Sequence, residues 1–264
     1  MRIVFFGNNE TAANVLRWLV ERGDEIVGLV VHPRGRARNT AEILASIPPN
    51  ACPVFEGPEL KSPKTIAALK TLRPEMGISI GFGYILSKEI LGLFPRGCVN
   101  LHAGFLPFNR GAYPNVWSLV EGTPAGVTLH FMDEGVDTGD IIARRRLAKR
   151  PCDTGESLYR RLEIEGFRLF RESWARLRKT NPPVRGVRQK GPGTVHRVAD
   201  IEQIDGINLG QTYKAKDLLN LLRARTFPPY PGAYFRHKGR KIYLRLQLLE
   251  ESELGGRATD GKVH

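Results

Sequence analysis

Asn100 and His102 stand two residues apart at the end of an apolar run, Cys98 to Leu101, and the loop from Ala103 to Gly111 follows them. If the run is a strand, alternation sends both side chains to one side. An imidazole can take or give a proton near neutral pH, and an amide NH2 can stabilise a developing oxyanion. Arg110 adds a fixed, planar cation beside the pair, as an anionic or carbonyl substrate requires. A strand-end cap beside a hydrogen-bonded core histidine is the competing reading of the same two residues.

A second cluster, Asp133-Glu134-Gly135-Val136-Asp137-Thr138-Gly139-Asp140, mixes carboxylates with glycines, a composition suited to a site loop. A carboxylate held there can orient a histidine, stabilise it as imidazolium and help a proton reach a leaving nitrogen. Magnesium binding is the rival reading, since grouped carboxylates hold hard cations. A third stretch, Gly81-Phe82-Gly83-Tyr84-Ile85-Leu86, lets backbone approach a flat ligand among aromatic rings, or else marks a tight strand-to-helix turn. Neither it nor Gly7-Asn8-Asn9-Glu10 is a GxGxxG fingerprint, which disfavours a nicotinamide enzyme.

These clusters need strands to hold them. Arg2 to Gly7, Glu25 to Val31, Met76 to Ile80 and Cys98 to Leu101 are short apolar runs of the kind that form buried parallel strands. Helical spacing lies between them: Ala12, Val15, Leu16 and Leu19 after a Thr11 cap, then Thr65 to Leu72, then Leu86 to Leu93. Residues 33–50, rich in Arg, Gly and Pro, read as a loop with a short helix. The alternation predicts an α/β, Rossmann-like doubly wound and mostly parallel sheet whose ligands bind at the carboxyl ends of the strands.

Strands at Val127 to Phe131 and Ile141 to Ala143 flank the acidic turn. Thr154 and Ser157 open a long helix whose buried face carries Leu158, Leu162, Leu169, Phe170, Trp174 and Leu177. Asn181-Pro182-Pro183 should break it. The expected organisation is a catalytic domain over residues 1–180, a linker over 181–193 and a small C-terminal subdomain over 194–264. That subdomain comprises a helix, Ala215 to Arg223, and a hairpin around Lys238-Gly239, with a polar, frayed end from Glu250.

The formal charge is +13 with a pI near 10.0, which favours an anionic partner. The cations come in bursts: Arg34, Arg36 and Arg38; Arg144, Arg145, Arg146, Lys149 and Arg150; Arg236, Lys238, Arg240 and Lys241. Solvated faces and a nucleic-acid stripe both fit them. Cys52, Cys98 and Cys152 form no CxxC pair, so neither a disulfide framework nor a thiolate zinc site is suggested. No apolar stretch reaches membrane-spanning length, and the N-terminus lacks the regions of a signal peptide, so a cytoplasmic protein without membrane partners is expected.

In order and spacing, Asn100-x-His102 with Leu106-Pro107 and Arg110-Gly111, then Gly126-Val127-Thr128-Leu129-His130 leading to Val136-Asp137-Thr138-Gly139-Asp140, resemble the two signature segments of the 10-formyltetrahydrofolate-dependent formyltransferases. The resemblance spans about residues 1 to 180. It implies Asn100, His102 and Asp137 as the catalytic trio, no metal, and a folate donor lying against Gly81, Phe82, Gly83, Tyr84, Ile85, Leu86 and the acidic turn at Asp133, Gly135 and Asp137.

The wording from Gly104 to Gly111, Tyr113-Pro114-Asn115-Val116-Trp117-Ser118, and Leu221 to Phe227 with its hairpin looks most like the bacterial nucleotide-sugar N-formyltransferases. The implied acceptor is the amine of a dTDP- or GDP-linked dideoxy amino sugar used in surface polysaccharide. His102, Asn109, Arg110, Gly111, Tyr113 and Arg225 are the implied acceptor contacts. Initiator methionyl-tRNA is the alternative acceptor, and a basic nucleic-acid-binding protein on an inactive fold is the non-enzyme alternative. A homodimer through the C-terminal hairpin, Ile242 to Leu249, is a further expectation.

Overall fold

The computed structural model describes residues 1–179 and 184–254. In chain order the first half holds β1 (Arg2–Gly7), α1 (Glu10–Glu21), β2 (Glu25–Val31), α2 (Thr40–Leu44), β3 (Val54–Glu56), α3 (Pro63–Thr71), β4 (Met76–Ile80), α4 (Lys88–Leu91) and β5 (Cys98–His102). Then follow β6 (Arg110–Gly111), α5 (Pro114–Val120), β7 (Ala125–Phe131), β8 (Ile141–Leu147) and α6 (Gly155–Lys179). The last part holds β9 (Val195–His196), α7 (Ile201–Asp205), α8 (Ala215–Ala224), β10 (Tyr234–His237), β11 (Arg240–Tyr243) and α9 (Glu251–Leu254).

Seven strands form one sheet in the order β3-β2-β1-β4-β5-β7-β8. The first five are parallel, whereas β7 runs antiparallel to both β5 and β8. This is the expected doubly wound, mostly parallel fold. Alternation along β1 explains its two layers: Ile3 and Phe5 face a core shared with α1 and α6, while Val4 and Phe6 face Leu60, Ile66, Leu69, Ile90 and Phe94. Covered on both faces, β1 beyond Arg2 and all of β4 are buried, and apart from Ser79 they lack the polar alternation of a surface strand.

Along α6 the six apolar residues expected to be buried are all buried. Thr154 and Ser157 exchange backbone-to-hydroxyl hydrogen bonds at its start. Phe170 and Trp174 stack at 5.4 Å, and Trp174 Nε1 donates to Asp24 Oδ2 at 2.9 Å, so a large ring is buried with its one donor satisfied.

Several local expectations are corrected. The cap of α1 is Asn9, whose extended backbone lets its side chain accept the Ala12 N–H, while Thr11 lies inside the first turn with its hydroxyl donating to Glu163. The helix expected over Leu86 to Leu93 shrinks to α4, because Ser87 caps it and Gly92 closes it. The three-residue β3 was not expected, since Val54 and Glu56 are exposed at the sheet edge. The break at Asn181-Pro182-Pro183 lies outside the described residues.

Residues 184–193, expected as a linker, lie against the first unit: Val187 exchanges two backbone hydrogen bonds with Ile141, and β9 pairs with β6. Lys238 and Gly239 both take left-handed backbone between β10 and β11, as a two-residue hairpin turn requires. Of the end expected to fray, Glu251–Leu254 forms a helical turn and residues 255–264 are not among those described.

Candidate active site

The antiparallel register of β5 and β7 sets His130 opposite Asn100 and Thr128 opposite His102. Asp137 reaches this four-residue patch from the β7–β8 turn, where its own backbone is left-handed at φ 52. Its Oδ2 lies 3.4 Å from His102 Nδ1 and accepts the Gly111 N–H at 2.8 Å. Its Oδ1 accepts from Asn100 Nδ2 at 3.1 Å and lies 3.3 Å from His130 Nε2. Asn100, His102 and Asp137 thus converge as the sequence suggested, and His130 joins them. Burial alone would raise the Asp137 pKa, but the positive field of His102, the contact with His130 and the Gly111 amide outweigh it and hold the carboxyl well below the usual range.

The loop after β5 fixes the imidazole of His102. Thr128 Oγ1 accepts the Leu106 N–H and donates to Gly104 O. Gly104 has no Cβ for a steric reason: one there would sit 2.4 Å from His102 Nε2. That nitrogen lies 2.9 Å from Asn109 O. Both ring nitrogens therefore face oxygen acceptors, and an N–H on each satisfies both. His130 Nδ1 lies 2.7 Å from Phe131 O; when it donates there, the neutral ring offers Nε2 to Asn100, while the imidazolium donates to Asp137 instead.

The residues implied as acceptor contacts divide. Arg110, Gly111 and Tyr113 line the loop beside the trio and are half-buried. Gly111, at φ 83, leaves no room for a side chain, because a Cβ would lie 2.3 Å from His196 O. Asn109 is corrected: its side chain is 1% exposed and bonded to Thr123 and Thr194, so it braces the loop. Arg225 is corrected as well. It caps the end of α8, and its guanidinium is bonded to both carboxylate oxygens of Asp205 and to Pro231 O.

The glycine-aromatic stretch after β4 divides too. Phe82, Tyr84 and His32 form a ring cluster with centroids 4.9 to 5.3 Å apart, and Ile85 beside them is 72% exposed. His32 Nε2 accepts the Gly83 N–H at 3.1 Å, which requires the neutral ring; burial foremost pushes its pKa down, and the charges of Arg36 and Arg38 press the same way. The rings are inclined 45° to 73° to one another, so with Ile85 they present a partly apolar, faceted surface rather than a flat one. The Leu86 side chain lies in the core at 1% exposure, so only the backbone there could meet a ligand. In the acidic turn Asp133 Oδ1 accepts from Gly135 N and Thr138 Oγ1, which shapes the turn, and Gly135 lies against Thr138, where a Cβ would meet the hydroxyl.

Sequence reasoning missed His130, Thr123, Gln189, Thr194 and His196. His130 carried a signal in its alternation with Thr128, but its partner depended on strand pairing. The other four act through backbone and side-chain contacts made across 14 to 85 residues, for which the chain has no local pattern.

The fold and this polar centre at a strand end define an α/β enzyme. A family model described as formyl transferase matches residues 1–172, and one described as an N-formyltransferase dimerization C-terminal domain matches residues 200–251. The chain belongs to the formyl transferase family and is an N-formyltransferase. It is 33% identical to a methionyl-tRNA formyltransferase of Thermodesulfovibrio yellowstonii over 99% of this chain and 83% of that one.

Among solved structures, a sugar N-formyltransferase from a Shewanella species superimposes with a TM-score of 0.81 at 22% identity, covering 95% of this chain and 99% of that one. The formyltransferase PseJ from Anoxybacillus kamchatkensis, solved with UDP-4,6-dideoxy-4-formamido-L-AltNAc and tetrahydrofolate, gives 0.57 at 28% identity over 82% of this chain and 94% of that one. No described helix is long and apolar enough to cross a membrane.

Proposed function

We propose that the protein transfers the formyl group of 10-formyltetrahydrofolate to the amine of a nucleotide-linked dideoxy amino sugar, with Asn100, His102 and Asp137 at the reacting centre. The observation that carries the chemistry is the ionised, buried Asp137 touching both Asn100 and His102. The observation that carries the acceptor is the C-terminal unit, matched over residues 200–251 by a domain described for N-formyltransferases, together with the ligands of the Anoxybacillus protein.

In this reading the acceptor amine attacks the formyl carbon, the bond from that carbon to the folate nitrogen breaks, and the proton lost by the amine ends on that nitrogen. The Asn100 amide and a His102 N–H donate to the oxygen as charge develops on it. Asp137 stays ionised and orients the imidazole through its Nδ1. For His102 Nε2 to reach that oxygen it must release Asn109 O. The aromatic and apolar surface at Phe82, Tyr84 and Ile85 meets the pterin, and Arg110 meets an acceptor phosphate. Residues 1–180 supply the chemistry, and the remainder pairs two copies into a homodimer. The setting is cytoplasmic synthesis of a surface polysaccharide precursor.

Methionyl-tRNA is the second acceptor to consider, favoured by the names of the curated relatives and by the +13 charge. One assay separates the two. Purified protein is given 10-formyltetrahydrofolate with nucleotide-linked 3- or 4-amino sugars, or with charged initiator tRNA, and tetrahydrofolate release and product mass are followed. Formylation of a sugar, lost in His102→Asn, is expected. Transfer to tRNA alone would replace the acceptor, and transfer to neither would remove the proposal.

A further inference from the structure

Gln189 lies on the segment after α6, outside both matched family models and within the stretch whose composition suggested a plain linker. Its amide makes four hydrogen bonds into the site. Nε2 donates to Asp137 O and to Gly139 O, both at 2.8 Å, and Oε1 accepts from Arg110 Nη2 at 2.8 Å and Nε at 3.2 Å. The partners fix the orientation of the amide. Arginine can only donate and a carbonyl can only accept, so a flipped amide would face mismatched groups on both sides.

The two carbonyls belong to the turn that carries Asp137 in left-handed backbone, a conformation whose cost must be met by surrounding contacts. The guanidinium belongs to the residue next to Gly111, whose N–H holds Asp137 Oδ2. Gln189 therefore ties the acidic turn to the arginine loop. No ion pair joins Arg110 to a carboxylate among the described residues. A neutral amide orients this cation without cancelling its charge, which leaves it available to an anionic acceptor. Glutamate would have the right length, but it would neutralise Arg110 and place an oxygen against two carbonyls.

We propose that Gln189 is a positioning residue that holds the Asp137 turn in its reactive backbone conformation and aims an uncompensated Arg110 at an acceptor phosphate. The assignment of Asp137 and Arg110 rests on the function proposed above. Two folded variants of the full chain test it, Gln189→Met, which keeps the bulk, and Gln189→Glu, which keeps a partner for Arg110. Both should lower kcat on the order of tenfold to a hundredfold, as displacement of a reacting group does.

KM for the nucleotide sugar should rise in both. Arg110→Ala should raise KM in the wild-type background and add little to Gln189→Glu. Carboxyl 13C NMR, with the Asp137 signal identified by its loss in Asp137→Asn, gives a readout that needs no turnover: the Asp137 titration midpoint should move upward in Gln189→Met. A wild-type kcat with an unmoved midpoint, even alongside a lowered Tm, would reduce Gln189 to a structural contact and overturn the proposal. Should the wild-type protein formylate no amino sugar, the acceptor reading fails, and the NMR measurement still decides whether Gln189 governs Asp137.

Discussion

At the scale of single residues, the site depends on groups that are absent as much as on those present. Gly104 is not left-handed, yet a methyl group on it would push directly on the His102 ring and sit 3.2 Å from Asn109 O. Gly104→Ala should therefore leave the sheet intact and displace the imidazole, lowering kcat about a hundredfold with a Tm change of a few degrees; an unchanged kcat would mean that His102 sits elsewhere during turnover. Asp137 makes a second, pH-dependent expectation. Its folded pKa lies below the unfolded value near 3.9, so the stability it contributes is complete above about pH 4 to 5 and is lost as pH falls toward the folded value. Wild-type protein should lose stability more steeply than Asp137→Asn between about pH 5 and pH 2, as read by chemical denaturation at each pH.

At the scale of elements, the central strands β1, β2, β4 and β5 were legible because burial on both faces makes them largely apolar, and α6 was legible because its stripe recurs over six turns or so. What was not legible depended on partners distant in the chain. Asn9 rather than Thr11 caps α1 because the backbone turns extended there, and Leu86 turned inward to the second apolar layer although its neighbours Tyr84 and Ile85 do not. The pair Asn100 and His102 was readable as a spacing, and Asp137 was singled out only by the family resemblance; the place of His130 required the β5–β7 register, and the role of residues 184–196 required the chain to return across the loop from Asn109 to Gly111.

Arg225 shows the same limit from the other side. The family resemblance implied an acceptor contact for it, whereas its ion pair with Asp205, at 12% and 15% side-chain exposure, ties the end of α8 to the end of α7. Arg225→Ala should cost about 2–4 kcal/mol of stability in the C-terminal unit, measured by denaturant unfolding, with KM for the acceptor unchanged at temperatures where the variant stays folded. A KM effect without a stability effect would restore Arg225 as a contact.

At the scale of the whole molecule, the surplus of cations has more than one use. Within the second burst Arg145 pairs with Glu165 and Glu172, Arg144 reaches Leu106 O over the Phe105 ring, and Lys149 donates to Ser118 O and Thr123 O, so much of that charge braces the fold. The third burst is different, because Arg236, Lys238, Arg240 and Lys241 surround a two-stranded hairpin that leaves Ile242 at 44% and Tyr243 at 50% exposure. A hairpin of this size is marginal by itself and gains most from an apolar partner, and it falls within the segment matched by a dimerization domain.

If a second copy covers it, each copy brings four cations to the contact, and their repulsion weakens as salt screens it over about 10 Å at 0.1 M. The homodimer should then tighten as salt rises, with a mass of about twice 29.5 kDa by sedimentation equilibrium, and Ile242→Asp should convert it to monomer while sparing kcat. Phosphate binding by the same cations would respond in the opposite sense, since counterion release makes nucleic-acid affinity fall steeply with salt. A chain that is monomeric at every salt concentration, and that binds RNA more tightly as salt is lowered, would assign the hairpin to nucleic acid and end the dimer reading.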